Sequence, residues 1–304
     1  MEATSNAKLT YPECNSVNYV EMLTSVCQSL FFMICLIICF LITTFIFTSN
    51  STFAHEPVFS LGPETIFKGG FGLETEVEYD KSGSEREIGL HEEIIYGLRE
   101  NLSLTGRFPF ILEKKEDSAK SSGLSDISLR GKFRFFKKDY LGAQDKAALI
   151  GGIKFPTGDE DKKPPVGTGS FDYLAGLTAG HESLKWYYFG TLRYWFNNKD
   201  GIKEKGDLFL YDISFGLRPV LREYYEHDLV TLLEFSGEHR NRDKVDNLQD
   251  DDSGGDILYL GPTFLWSYRN WMIKGGIQLP IYQDLNGEQK KEDFRSILAI
   301  EVHF

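Results

Sequence analysis

Residues 123–139 read GLSDISLRGKFRFFKKD. Ile127, Leu129, Gly131, Phe133 and Phe135 alternate with Asp126, Ser128, Arg130, Lys132 and Arg134. Alternation with a period of two marks a β-strand whose faces meet different surroundings. One face is apolar throughout, whereas the other carries three cations and an anion. A strand of this kind separates two solvents.

The pattern recurs along the chain. After residue 54 no stretch repeats apolar residues at helical spacing over three or more turns. Twelve cleanly alternating runs lie near 70–80, 87–98, 101–111, 124–136, 146–156, 170–182, 186–197, 206–218, 228–240, 255–267, 271–282 and 295–304. Their connections fall into two classes. The even-numbered ones are compact: about 99–100, 183–185 and 268–270, with links of about nine residues after the fourth and eighth runs. The odd-numbered ones are polar and mostly long: KSGSER, LEKKEDSAKSSG, TGDEDKKPPVGTG, NNKDGIKEKG, NRDKVDNLQDDDSGG and DLNGEQKKED.

Such segregation is what an up-and-down meander produces, with odd turns at one end and even turns at the other. Outer-membrane barrels combine an even strand number with short periplasmic turns and longer external loops. The runs also match the ~9–11 tilted residues that cross a bilayer. In lipid every backbone donor and acceptor must be paired within the protein, which a closed barrel achieves. The predicted fold is therefore a 12-stranded antiparallel transmembrane β-barrel over residues 70–304.

The two faces fit that fold. Trp186, Tyr188, Gly190, Leu192, Tyr194 and Phe196 share one face of the seventh run, and Trp271, Ile273, Gly275, Ile277, Leu279 and Ile281 one face of the eleventh. Phe209, Tyr211, Ile213, Phe215 and Leu217 do the same on the eighth. The opposite, lumen-lining faces carry Glu74, Glu76, Glu78, Asp126, Arg130, Lys132, Arg134, Lys154, Arg193, Asp212, Arg218, Glu234, Glu238 and Lys274. These charges are the candidate selectivity residues. Acidic and basic ladders on separated strands would set a transverse field that screens solutes by charge, or they would pair across a filled lumen and only stabilise it. Tyr96, Trp186, Tyr187, Tyr224, Tyr225, Trp266, Tyr268 and Trp271 border the short turns, and Phe108, Phe110, Phe155, Trp195, Phe196 and Tyr282 the long-loop ends, as two aromatic girdles. The second run fits worst, because His91, Glu92 and Glu93 spoil both faces. A bulge there would restore the alternation.

Residues 30–47, LFFMICLIICFLITTFIF, form an uncharged apolar run, followed by Thr52-Phe53-Ala54. This reads as a signal peptide over 1–54 with cleavage after Ala54, or as an uncleaved anchor; the chain is exported in both cases. Residues 55–69 then form a periplasmic N-terminal segment. All four cysteines (Cys14, Cys27, Cys35 and Cys39) precede residue 54, so the exported part needs neither disulfides nor a thiolate metal site. The net charge of −12 speaks against a nucleic-acid partner, which requires a basic footprint.

GLSDISLRGKFRF, GGIKFPTGD, GTGSFDYLAGLTAGHES and the terminal EVHF, in that order and spacing, resemble the outer-membrane transporter family labelled for the meta-pathway of phenol degradation. The resemblance spans roughly residues 60–304. It implies an outer-membrane barrel linked to uptake of small aromatic or hydrophobic compounds. It also marks Phe304 as the terminal aromatic that barrel-assembly machinery reads.

Other chemistry is weak. No two histidines sit at helical i,i+4 spacing or beside a cysteine, so no metal site is assigned; His55 with Glu56 is a plain polar pair. The nearest serine–histidine pairs, His181–Ser183 and Ser236–His239, lack a GxSxG elbow, and no catalytic residue is assigned. NLQDDDSGGD at 247–256 lacks the order and closing Glu of an EF-hand. PTGDEDKKPPVGTGS at 156–170 could fold inward as a constriction. The reading is a monomeric barrel without cofactor that passes a small solute passively. Its partners are outer-membrane lipid, lipopolysaccharide and the assembly machinery. The alternatives are a closed structural or adhesive surface barrel and, less favoured, an outer-membrane lipid hydrolase.

Overall fold

The computed structural model describes residues 56–222 and 226–304. The expected leader, with its apolar run at 30–47, lies outside the described residues, as do His55, Tyr224 and Tyr225. All regular elements described are strands: β1 (Phe71–Ser82), β2 (Glu85–Arg99), β3 (Leu102–Glu116), β4 (Ala119–Leu124), β5 (Ser128–Tyr140), β6 (Ala143–Lys154), β7 (Asp172–Ser183), β8 (Trp186–Phe196), β9 (Lys199–Asp200), β10 (Lys203–Glu204), β11 (Leu208–Leu217), β12 (Asp228–Arg240), β13 (Lys244–Val245), β14 (Leu248–Gln249), β15 (Gly255–Tyr268), β16 (Trp271–Leu285) and β17 (Phe294–His303).

Twelve of these build the wall. Sequence neighbours pair antiparallel all the way round, and β1 pairs with β17 to close the sheet. Closure is sealed at the short-turn end, where Phe71 N–H donates to Phe304 C=O at 3.2 Å and Phe304 N–H to Phe71 C=O at 2.7 Å. Each of the twelve described wall strands is thus paired on both sides, which is the condition for a sheet to cross a bilayer. Leu192, Ile213, Ile277 and Leu298 point outward, 48 %, 46 %, 41 % and 55 % exposed. Glu74, Lys132, Asp212, Glu234 and Lys274 point inward and are buried.

Several expectations need correction. LEKKEDSAKSSG is not a loop: β3 continues to Glu116 and folds back as β4, with Asp117 at φ 50° in the turn. The charged alternation simply carries the strand past the membrane. The nine-residue link after the fourth run shrinks to Leu141–Gly142 between β5 and β6. NNKDGIKEKG and NRDKVDNLQDDDSGG contribute β9, β10, β13 and β14, which form a small separate sheet. β2 carries register shifts at Ile88/Gly89 and Gly97/Arg99, but none at the spoiled residues. There His91 and Glu93 face inward and Glu92 faces outward, where Thr75 Oγ1 donates to its carboxylate at 2.8 Å. Tyr187 and Trp195 leave the girdles. Tyr187 is fully buried, and the inward-pointing Trp195 ring lies near Lys154 Nζ, 5.9 Å from its centroid.

The largest correction concerns the segment expected in the periplasm. Residues 56–69 bond to inward-facing wall residues. Glu234 accepts hydrogen bonds from the N–H groups of Val58 at 2.8 Å and Phe59 at 3.0 Å. Thr178 and Thr191 each donate to Leu61 C=O at 2.7 Å. Val58 packs into an apolar cluster with Tyr187, Phe189, Val230, Leu232, Leu265, Met272 and Ile297. Gly97 makes the entry possible: a Cβ there would stand 1.9 Å from Phe67 C=O. Across this contact Gly69 N–H donates to Gly97 C=O at 2.7 Å and Gly97 N–H to Gly70 C=O at 3.0 Å. The segment thus rests partly on an apolar cluster of the inner wall and partly on buried polar groups such as Glu234, Thr178 and Thr191.

Candidate functional site in the barrel lumen

Strand alternation sends every second side chain inward, so adjacent strands bring their charges into one patch. β1 supplies Glu74, Glu76 and Glu78, β2 supplies Glu93, β3 supplies Arg107, and β5 supplies Arg130, Lys132 and Arg134. Arg107 reaches Glu76 at 2.9 Å and Glu93 at 3.2 Å, and Arg130 reaches Glu93 at 2.9 Å. Beyond the closing seam, Lys274 sits 2.8 Å from Glu74 and 3.4 Å from Glu301. Arg295 meets Glu238 at 2.5 Å, and Arg193 meets Asp212 at 2.8 Å.

This arrangement changes the sequence-based picture. The acidic ladder of β1 and the basic ladder of β5 do not oppose each other across the lumen. Only β2 and β3 lie between them, and their charges are bridged by Arg107 and Glu93. Charges taken out of water carry a desolvation cost that pairing must offset, so a paired lattice is the arrangement that confinement favours. Arg107, Glu93, Arg295 and Glu301 were absent from the candidates. Period two would have placed Arg107 inward with Ser103 and Thr105, and Glu301 inward with Ile297 and Ala299.

The inserted segment joins the lattice at two points. Glu56 meets Lys132 at 2.5 Å, and Glu64 meets Lys146 at 2.6 Å. Beside the segment is a cavity of about 800 Å³. Glu74, Glu76, Glu78, Arg130, Lys132, Arg134, Arg193, Asp212, Glu238 and Lys274 all line it. Arg134 is tied by a 2.7 Å hydrogen bond to Glu100 C=O.

Four candidates lie elsewhere. Glu234 holds the inserted segment, and also accepts from Thr263 Oγ1 at 2.6 Å. Lys154 pairs with Asp172 at 2.5 Å, and Arg218 with Asp228 at 2.9 Å. Asp126 lies between β4 and β5, where it accepts from Gly158 N–H, Thr168 N–H and Thr168 Oγ1 at 2.9, 2.8 and 2.7 Å. It pins the 156–170 loop, and none of that loop's residues lines the cavity.

The serine–histidine pairs do not form catalytic geometry. Ser183 Oγ accepts from Trp186 N–H and donates to Trp186 C=O, both at 2.9 Å, while His181 bonds Asp145 at 2.6 Å. Ser236 is buried inward, whereas His239 is exposed and bonds Asp256 at 2.7 Å.

A closed twelve-strand wall, an apolar outer band and a charged, partly occupied interior define a β-barrel of the outer-membrane type. The chain belongs to the family described as "Putative MetA-pathway of phenol degradation", whose model matches residues 54–289. Among solved structures it is similar to an outer membrane channel from Pseudomonas putida F1, with a TM-score of 0.67 and 14 % identity over 82 % of this chain and 100 % of that one. It is more distantly similar to the NanC porin, with a TM-score of 0.47 and 7 % identity over 76 % and 98 % of the two chains. LpxR from Salmonella typhimurium gives a TM-score of 0.45 and 9 % identity over 77 % and 100 %. No curated protein shows significant sequence similarity to the chain.

Proposed function

We propose that this protein is a passive channel of the outer membrane, admitting a small solute through a lumen narrowed by its own N-terminal segment. The observation that carries this reading is the cavity of about 800 Å³ bounded jointly by the inserted segment and the charged arc of β1, β5 and β16. Its wall holds fixed charges of both signs beside apolar Phe59, Ile95, Leu210 and Ile297. Such a wall suits a compact solute carrying a charge or dipole and an apolar body. The name of the Pseudomonas channel supports passage of a solute, and the family's label sets that passage beside phenol degradation. Export by the leader, residence in the outer membrane as a monomer and assembly through Phe304 complete the reading. Phe304 sits at the closing seam, its ring 6.2 Å from that of Phe71.

The extent of pairing and the inserted segment favour one competing reading, a structural surface barrel whose lumen stays shut. Recordings of the purified barrel in planar bilayers separate the two. Stepwise currents are expected for the wild type, with larger steps after deletion of residues 56–66. A folded wild-type barrel that stays electrically silent supports the structural reading instead.

A further inference from the structure

Midway along the charged arc, β1 and β2 bring a histidine against two glutamates. In their register His91 stands opposite Glu76, and Glu78 stands opposite Gly89. Gly89 leaves the space that the His91 ring occupies: a Cβ at residue 89 would lie 2.5 Å from Nε2. The ring thereby brings Nε2 to 3.1 Å from Glu78 Oε2. Nε2 makes only this contact with Glu78 and Nδ1 makes no hydrogen bond, although His91 is only 7 % exposed. Buried imidazole nitrogens are ordinarily satisfied, so a ring aimed at carboxylates with Nδ1 unbonded is under-used by the protein alone.

One nitrogen of His91 and one oxygen each from Glu76 and Glu78 lie within 4.8 Å of one another. A zinc-sized ion holds such ligands at about 2.0–2.2 Å, so side-chain shifts of no more than about 0.7 Å bring all three onto one centre. Arg107 serves Glu76 and Glu93 and stands 3.8 Å from Glu78. Asp80, the next inward acid on β1, has a buried Oδ1 without a hydrogen-bond partner. Buried carboxylates short of counter-charge are costly.

We propose that Glu76, Glu78 and His91 form a binding site for a divalent transition-metal ion inside the lumen. One imidazole with two carboxylates suits a borderline ion such as Zn²⁺ or Co²⁺ better than Ca²⁺ or Mg²⁺, which take all-oxygen sets. The site stands whether or not the barrel conducts. The test is calorimetric titration of Zn²⁺ into the chelator-treated, folded full barrel, with visible absorption of the Co²⁺ form as the signature of a nitrogen-containing set. Wild type is expected to take up a single ion. H91A and E78Q should each weaken binding by at least ~10-fold, the scale at which even supporting groups matter in metal sites. G89A should weaken it similarly while keeping every ligand, and H181N should leave it unchanged; heat-modifiable migration on gels verifies that each variant is folded. No uptake by folded wild type, or equal uptake by wild type and folded H91A, overturns the site and leaves His91 as a plain partner of Glu78.

Discussion

Glu64 of the inserted segment meets Lys146 of β6 through both carboxylate oxygens, at 2.6 and 2.7 Å from Nζ. The two side chains are 7 % and 8 % exposed, so the pair is a buried latch between segment and wall.

Breaking one half of this latch strands the other. K146A is expected to cost about 3–5 kcal/mol, because an uncompensated buried charge is left behind. The double variant E64L/K146M should recover most of that loss, since a matched apolar pair removes both charges. Denaturant unfolding followed by tryptophan fluorescence in lipid vesicles reads both values. Equal stability of K146A and wild type would show that the segment leaves the lumen in the membrane.

Conduction should respond to the charged arc. Lys132 is tied to Glu56 and Arg130 to Glu93, so R130E places an acid against Glu93 and turns the local potential negative. The triple reversal of Arg130, Lys132 and Arg134 to Glu is expected to shift reversal potentials in a KCl gradient toward cation preference. A conducting variant with unchanged selectivity would remove these residues from the ion path.

The outward-facing carboxyl of Glu92, bonded to Thr75, is out of keeping with the apolar band. Charge on the lipid face costs ~2–4 kcal/mol for Arg or Lys at the midplane and less for acids. E92L should therefore raise unfolding stability by about 1 kcal/mol, whereas L233R, on the outward face of β12, should lower it by about 2–4 kcal/mol. A destabilised E92L would mean that the bond from Thr75 outweighs the cost of a carboxyl among acyl chains.

Acidity should act on the long-loop end. Glu292, in the loop between β16 and β17, bonds to Tyr259 Oη, and burial, with Glu238 nearby, pushes its carboxyl above the ordinary range. The folded state then holds this proton at a pH where the unfolded chain has released it. Stability consequently falls as pH rises between the unfolded and folded pKa values, and recovers on acidification. Amide exchange in residues 286–293 is expected to slow as pH is lowered through that window, after correction for intrinsic exchange, and E292Q should abolish the dependence.

Much of the wall was legible in the sequence. A strand's side chains alternate by geometry alone, so Leu192, Ile213 and Ile277 could be set outward, and Arg130, Lys132 and Lys274 inward, without knowledge of any neighbour. The segregation of compact and long polar connections fixed the strand number and the meander. Propensity could not say where strands stop beyond the membrane, which is why LEKKEDSAKSSG proved to be a hairpin. It also could not resolve His91, Glu92 and Glu93, where the preference for burying apolar groups yields to an acid on the outer face.

The fate of the charges was decided only in three dimensions. Whether Glu74 and Arg130 oppose or pair depends on what stands between them, and β2 and β3 put Glu93 and Arg107 there. Nothing in residues 56–69 announces that they enter the lumen, because most of their partners, Glu234, Thr178, Thr191 and Lys146 among them, lie more than eighty residues away. Period-two order is local and survives in a linear text, whereas ion pairing and plugging are long-range and exist only once the sheet has closed.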